Sequence, residues 1–291
     1  MKWSFRIGTL FGIPVYVHAT FALLLLWIGL AHWREGGAAA ALQGIAFLLA
    51  LFGCVVLHEL GHALTARRFG IQTQDVTLLP IGGVARLERM PEEPRQELLV
   101  ALAGPAVNVV LAAGLAIWLA AAAALVPIET LSVTGGSFLA RLLAVNVMLV
   151  VFNLVPAFPM DGGRVLRALL ATKVDYSRAT RIAASIGQGF ALLFGFAGLF
   201  WNPFLIFIAL FVWIGAAAEA GQVETRTALA GVPVRQAMLT DFRVLAAESK
   251  LEEAVRLTLE GSQKDFPVTH GGNVVGVLCQ GDLLEALARS G

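Results

Sequence analysis

Six stretches of mostly apolar residues dominate the chain, at 15–32, 41–66, 97–126, 138–158, 182–200 and 203–220. A helix rises 1.5 Å per residue, so about 20 such residues cross the roughly 30 Å hydrocarbon core of a bilayer. The stretches meet or approach that length, which predicts a polytopic α-helical membrane protein with about six transmembrane helices. The composition agrees: 58% of the 291 residues are hydrophobic and 14% are charged, where soluble domains carry about 25% charge. A water-soluble globular enzyme, a disordered chain and a disulfide scaffold are excluded. The net charge of +1 gives no sign of a nucleic-acid partner. Cys54 and Cys279 lie far apart and predict reduced or membrane-buried thiols, not a bridge. The first stretch is followed by no A-x-A-like cleavage site and predicts a retained helix, not a signal peptide.

Lysines and arginines orient the spans. Lys2 and Arg6 precede the first. Arg67, Arg68, Arg86, Arg89 and Arg95 follow the second, and Arg164, Arg167, Lys173, Arg178 and Arg181 follow the fourth. The opposite loops carry Arg34 alone, with Arg141 near the outer end of span four, where it can snorkel. The chain therefore reads as a multi-pass protein of the cell membrane with both termini cytoplasmic. Residues 71–95 are too polar to cross. Within them 75–79 and 84–88 flank Pro80-Ile81-Gly82-Gly83, which predicts a small membrane-associated β-hairpin.

The domains read as 1–224, in the membrane, and 225–291, soluble and cytoplasmic. The 64 residues from Ala228 hold 14 of the chain's 41 charged side chains. Here the pattern becomes an α/β alternation, with Phe242-Arg243-Val244 leading to a helix over 251–259. Strands at 266–269 and 273–278 surround His270-Gly271-Gly272, and a helix closes the chain over 281–289.

The second span contains His58-Glu59-Leu60-Gly61-His62. Histidines at i and i+4 stack on one helix face, so both imidazoles can reach one metal ion, with the glutamate placed beside it as a base. Ionisable groups within a span are costly and mark function. A catalytic zinc takes three protein ligands, and Asp161 is the only Asp within or at the edge of a span. Pro156 and Pro159 break its helix and Gly162-Gly163 frees the backbone, so the chain can turn Asp161 toward the histidines. The ordinary alternative for Asp161 is a helix N-cap, and the two roles are compatible. His58, His62 and Asp161 are thus the expected ligands of one zinc per chain, and Glu59 the expected catalytic base. Cys54 shares the histidine face but reads as a small buried residue; His18, near the inner end of span one, can approach the metal or cap a helix, the cap being the preferred reading. Asp75 and His32 read as loop residues that serve solvation. Asn108 and Asn153 are amides inside spans, candidates for binding substrate backbone or for bonding a neighbouring helix.

These residues resemble the site-2 protease family of intramembrane zinc metalloproteases. The likeness rests on His58-Glu59-x-x-His62, on Gly104-Pro105-x-x-Asn108, and on Asn153-x-x-Pro156-x-x-Pro159-Met160-Asp161-Gly162, in that order. The opening Gly12-Ile13-Pro14-Val15-x-Val17-His18 looks like the start of prokaryotic members. Residues 232–289 resemble a cystathionine-β-synthase-type (CBS) module, single here where such modules normally pair. The resemblance implies hydrolysis of peptide bonds in or near transmembrane segments of a membrane-protein substrate, with zinc on His58, His62 and Asp161 and Glu59 as base. It also implies an adenine nucleotide at the module, a homodimer through it, and gating of the protease. An edge strand of the hairpin would capture the unwound substrate. A metal transporter predicts further ionisable groups along several spans, whereas here they gather at one depth. A pseudoenzyme is disfavoured by the intact Glu59.

Overall fold

The computed structural model describes residues 3–122, 132, 136–261 and 263–290. The end of the third expected span, 123–126, lies outside them. Two compact units emerge, Met1–Ala228 and Leu229–Gly291.

The first unit opens with β1 (Ser4–Leu10) and β2 (Ile13–His18), an antiparallel pair. Residues 15–18, expected to begin a helix, are therefore strand. Their alternating Val15 and Val17 suit a pleated sheet with one buried face, and the helix starts one residue past His18. That residue is its N-cap, its Nδ1 accepting from the Thr20 amide at 3.3 Å. The following helix, α1 (Ala19–Arg68), is 50 residues long and leaves helical geometry at Gly36 and Gly37. A continuous helix of that length would extend about 75 Å, more than twice a bilayer core. Gly37 adopts φ +70, which a side chain would disfavour, and the chain folds back. The rings of Phe21 and Phe52 meet at 4.6 Å. A Cβ on Gly44 would lie 2.8 Å from the His32 ring, so that glycine is where the two arms of the helical hairpin press together. His32 is a helix residue bonded to Ile28 O, not a loop residue.

The polar segment after α1 forms β3 (Thr73–Leu79) and β4 (Gly82–Leu87), as expected. The sequence did not show that β3 also pairs in parallel with β2, completing a sheet ordered β1-β2-β3-β4. Ile13, Val15, Val76 and Leu78 of this sheet pack on Phe52, Val56, Leu60 and Ala63 of the second α1 arm. The sheet thus lies along the helix that carries both histidines. Asp75 is buried and bonded to Arg86 across the β3–β4 pair, so it is not a solvating loop residue.

Four further helices complete the unit: α2 (Pro94–Ala121), α3 (Phe138–Asn153), α4 (Asp161–Ala171) and α5 (Tyr176–Phe200), and a fifth, α6 (Phe204–Leu229), leads out of it. The helices α1, α2, α5 and α6 are long and apolar enough to cross a membrane, while α3 is apolar but 16 residues long. After α3 the prolines act as expected, since residues 154–160 are not helical and α4 begins at Asp161. This irregular turn is clamped from behind. A Cβ on Gly215 of α6 would lie 2.6 Å from Pro159, and one on Gly187 of α5 would lie 3.3 Å from Ala157.

The second unit contains β5 (Leu245–Ala246), α7 (Leu251–Glu260), β6 (Phe266–His270), β7 (Asn273–Leu278) and α8 (Gln280–Ser290). Its sheet order is β5-β6-β7, with β5 parallel to β6 and β6 antiparallel to β7. Leu245, Ala254, Leu257, Phe266 and Leu283 form its core. Residues 242–244, which led the expected alternation, lie outside any strand.

The guanidinium of Arg86 holds the Asp75 carboxyl below the usual carboxylate range. A carboxylate depressed on folding adds stability above its unfolded pKa of about 3.9, and that gain disappears as pH falls through the folded value. Asp75→Asn is therefore expected to lower the thermal midpoint by a constant amount between pH 5 and 8. The gap to wild type should close below about pH 4. Because Arg86 is 46% exposed, the gain is expected to stay near 1 kcal/mol or less. Thermal unfolding of detergent-solubilised protein across that pH range checks this.

Candidate metal centre

The second arm of α1 presents His58 and His62 one turn apart, and both are buried. Their Nε2 atoms are 3.1 Å apart. Asp161, the first residue of α4, places Oδ2 at 3.1 Å from His58 Nε2 and 3.2 Å from His62 Nε2. The fold thus brings together the three side chains expected from the sequence, 99 and 103 residues apart along the chain. The cap of α4 is Met160, which leaves the Asp161 side chain directed at the histidines.

The far sides of both rings are also occupied. His62 Nδ1 donates to the Val100 carbonyl at 2.7 Å, and His58 Nδ1 donates to Asn108 Oδ1 at 2.5 Å. With Nδ1 carrying the proton in each neutral ring, both Nε2 lone pairs face inward. Two lone pairs and a carboxylate oxygen then share one small volume, mutually repulsive unless a cation lies among them. The donor set of two imidazoles and one carboxylate matches that of catalytic zinc, and outer hydrogen bonds of this kind orient metal-binding histidines. The residues present fit the ion.

Space for that arrangement comes from α2. A Cβ on Gly104 would fall 2.6 Å from His58 Nε2 and closer still to His62 Nε2, and one on Gly61 would fall 2.7 Å from the Ala103 carbonyl. These two glycines let α1 and α2 approach closely enough for Val100 and Asn108 to reach the rings. Asn108 is engaged at both ends, since its Nδ2 donates to Asn146 Oδ1 at 2.9 Å. Asn146 in turn donates to the Leu142 carbonyl, at 2.9 Å, and to Cys54 Sγ, at 3.4 Å. Cys54 is buried, as read from the sequence, and joins the site only through this chain of amides. Asn153 is half-buried, and its Nδ2 donates to Leu149 O of its own helix at 2.9 Å. Glu59 points to the sheet, where its Oε2 accepts from the Ala85 amide of edge strand β4 at 3.1 Å. Gly83, which lies in β4 and not in the turn, permits this, because a Cβ there would lie 2.9 Å from Glu59 Cγ.

Sequence reasoning missed Asn146, a third amide inside an apolar span. It also missed a buried ion cluster behind Asp161. Arg167 of α4 bonds Glu97 of α2 at 2.7 Å through Nε, and Glu219 of α6 at 2.6 Å through Nη1. The available signal is Glu97, an acid in an apolar stretch; Arg167 reads from the sequence as a loop cation.

A buried zinc-type donor set beside a glutamate, with four membrane-length apolar helices among the described residues, points to the class of membrane-embedded zinc hydrolases. Comparison with known proteins gives the family. The family model described as Peptidase family M50 matches residues 46–132 and 123–194. A zinc metalloprotease of Methanocaldococcus jannaschii is 36% identical over 285 residues, 97% of this chain and 80% of the relative. A putative zinc metalloprotease of Synechocystis is 32% identical over 87% of this chain and 69% of its own length. Among solved structures, the site-2 protease from Methanocaldococcus jannaschii is similar with a TM-score of 0.54 and 35% identity, over 83% of this chain and 100% of that one. The chain belongs to the M50, or site-2 protease, family of zinc metalloproteases.

Gly104→Ala is expected to abolish zinc binding, taking the bound metal from about one ion per chain to near zero by elemental analysis, because the new methyl occupies the ligand atoms' space. Asn108→Ala removes a hydrogen bond from the back of His58 and is expected to weaken zinc affinity about 10–100-fold, measured by competition with a chelating dye.

Proposed function

We propose that this protein hydrolyses peptide bonds within or beside the transmembrane segments of membrane-protein substrates. Zinc is held by His58, His62 and Asp161, and Glu59 is the catalytic base. The observation that carries this reading is the convergence of both Nε2 atoms and Asp161 Oδ2, within 3.2 Å of one another, on the helix that also bears Glu59. When bound, zinc supplies a Lewis acid that polarises a carbonyl and makes water acidic near neutrality. Glu59 removes a proton from the water that attacks the carbonyl carbon. As the C–N bond breaks, the carboxyl delivers that proton to the leaving amide nitrogen. His58 and His62, fixed from α2, and Asp161, fixed from α4, keep their positions throughout.

A helical substrate hides its carbonyls in i to i−4 bonds and must unwind before attack. The free edge of β4 offers replacement bonds to an extended segment. The Ala85 amide on that strand is the one Glu59 holds, so strand addition and release of the carboxylate are coupled. Asn108 is engaged at both ends within the protein, so its part is to orient His58, and contact with substrate backbone is kept for Asn153. Counting both arms of α1 and the short α3 gives six spans, with both termini cytoplasmic by the distribution of lysine and arginine.

The second unit is read as a CBS-type module that gates cleavage in response to an adenine nucleotide and pairs with a second copy. Support comes from β7, an edge strand on which Val274, Val275 and Val277 are 65%, 61% and 56% exposed, an apolar edge that a partner would cover. α6 ends at Leu229, the first residue of this unit, and its Glu219 is bonded to Arg167 of α4. Unchanged cleavage with and without adenine nucleotides would overturn the gating.

Glu59→Gln is expected to retain one zinc per chain while cleavage of a membrane substrate falls by about 10²–10⁴-fold. Fragment analysis in cells or proteoliposomes reads it, and full activity would end the assignment of Glu59 as base.

A further inference from the structure

Behind the metal centre lies a cluster of charges that catalysis, as described, does not use. Arg167 and Glu97 have 0% exposed side chains. The guanidinium bridges Glu97, in the first turn of α2, and Glu219 on α6. It also lies over the rings of Phe158 and Tyr176, at 5.1 and 4.8 Å from their centroids. Glu97 Oε2 is buried with no hydrogen-bond partner among the described residues, so this carboxylate meets Arg167 through Oε1.

A buried ion cluster is a poor means of gaining stability, because well-packed apolar side chains of similar volume hold helices together as firmly without the desolvation cost. It does confer direction. An arginine fork accepts partners only in its own plane, and here it has one on each of two helices. Asp161 and Arg167 stand at the first and seventh positions of α4, about 9 Å apart along its axis and on different faces. Fixing both determines the rotation and the depth of that 11-residue helix.

The α2 side of the bond matters equally. Glu97, Val100, Gly104 and Asn108 are all buried and recur at helical spacing, so they form one face. In order along it, Glu97 takes Arg167, Val100 takes His62, Gly104 admits both rings and Asn108 takes His58. The helix that orients the two imidazoles is therefore the one to which the carboxylate-bearing helix is bolted.

We propose that Arg167 is a positioning residue for the metal centre: by bonding Glu97 and Glu219 it sets α4 against α2 and α6 so that Asp161 meets His58 and His62. This inference rests on the zinc-protease reading.

The test uses the full chain in detergent or nanodiscs, loaded with zinc for activity and with cobalt(II) for its visible spectrum. Three forms are compared with wild type: R167M, R167K and the uncharged triple R167M/E97M/E219Q. The triple removes every buried charge of the cluster and is expected to recover the thermal midpoint of the metal-free protein. Its cobalt affinity should stay at least tenfold weaker, its d–d bands should be altered, and kcat should fall more than tenfold with KM within threefold of wild type. R167K folds with a charge that bonds one carboxylate but cannot fork, and is expected to lose cobalt affinity several-fold. If R167M does not fold, these two forms decide. A triple or R167K form with wild-type midpoint, affinity and spectrum overturns the role of Arg167 and leaves the protease reading intact. Wild-type protein that holds no zinc and cuts nothing defeats that reading instead.

Discussion

Three electron pairs aimed at one point set the terms for the rest of the structure. His58 Nε2, His62 Nε2 and Asp161 Oδ2 lie within 3.2 Å of one another in a part of the molecule shielded from water. Left uncompensated, such a cluster is unfavourable in a medium of low dielectric constant. A divalent cation reverses the sign of the balance, because each lone pair then faces positive charge. The surrounding fold serves to keep the three atoms from rotating away when the ion is absent and from drifting apart when it is bound.

That task falls mainly to α2, which contributes no ligand. Its inner face offers a carbonyl to one ring and an amide to the other, and at Gly104 a gap where a side chain would intrude. Pro105 follows within the helix and cannot donate an amide to the preceding turn. The next contacts lie further back, in Asn146 of α3 and Arg167 of α4. The site is thus built in layers: α1 and α4 carry the three donor atoms, α2 bonds the far sides of the imidazoles, and α3 and α6 bond α2 and α4 in turn. Polar contacts among these helices are few and specific, as expected where lipid removes the hydrophobic force between spans.

Much of this was legible because membrane sequences expose their exceptions. In a stretch such as 41–66, His58, Glu59 and His62 stand out against a uniformly apolar background, and helical periodicity puts both histidines on one face. Asp161 stood out by being alone, and its approach was legible from Pro156, Pro159 and the two glycines after it. The β3–β4 hairpin was marked by its turn. The parallel β2–β3 pairing was hidden, because its partners are separated by the whole of α1 and no local signal fixes a register at that distance. The apolar, β-branched residues of β2 also merge with the helix that follows, which is why 15–18 read as part of a span. Arg167 was concealed by the rule used to orient the chain. An arginine after a span counts as a cytoplasmic loop charge, and nothing in its neighbourhood distinguishes one folded inward onto Glu97 from one left in water. Asp75 and Arg86 eluded sequence reading likewise, since cross-strand pairs become visible only when the register is known.

In the proposed mechanism the contrast between the zinc donors and the base has a mechanical logic. His58 and His62 are bonded from behind by Asn108 and Val100, and the helix that bears Asp161 also carries the Arg167 ion cluster. Glu59 is held differently, by the backbone amide of Ala85 on an edge strand, a bond that an incoming strand is able to take. A metal ligand that moved would alter the affinity for the ion at every turnover. A base that could not move would be unable to collect a proton at one atom and deliver it at another. With His58 and His62 set against α2 and Glu59 against the edge of a sheet, one helical turn of α1 meets both requirements of the proposed mechanism, and α4 adds Asp161.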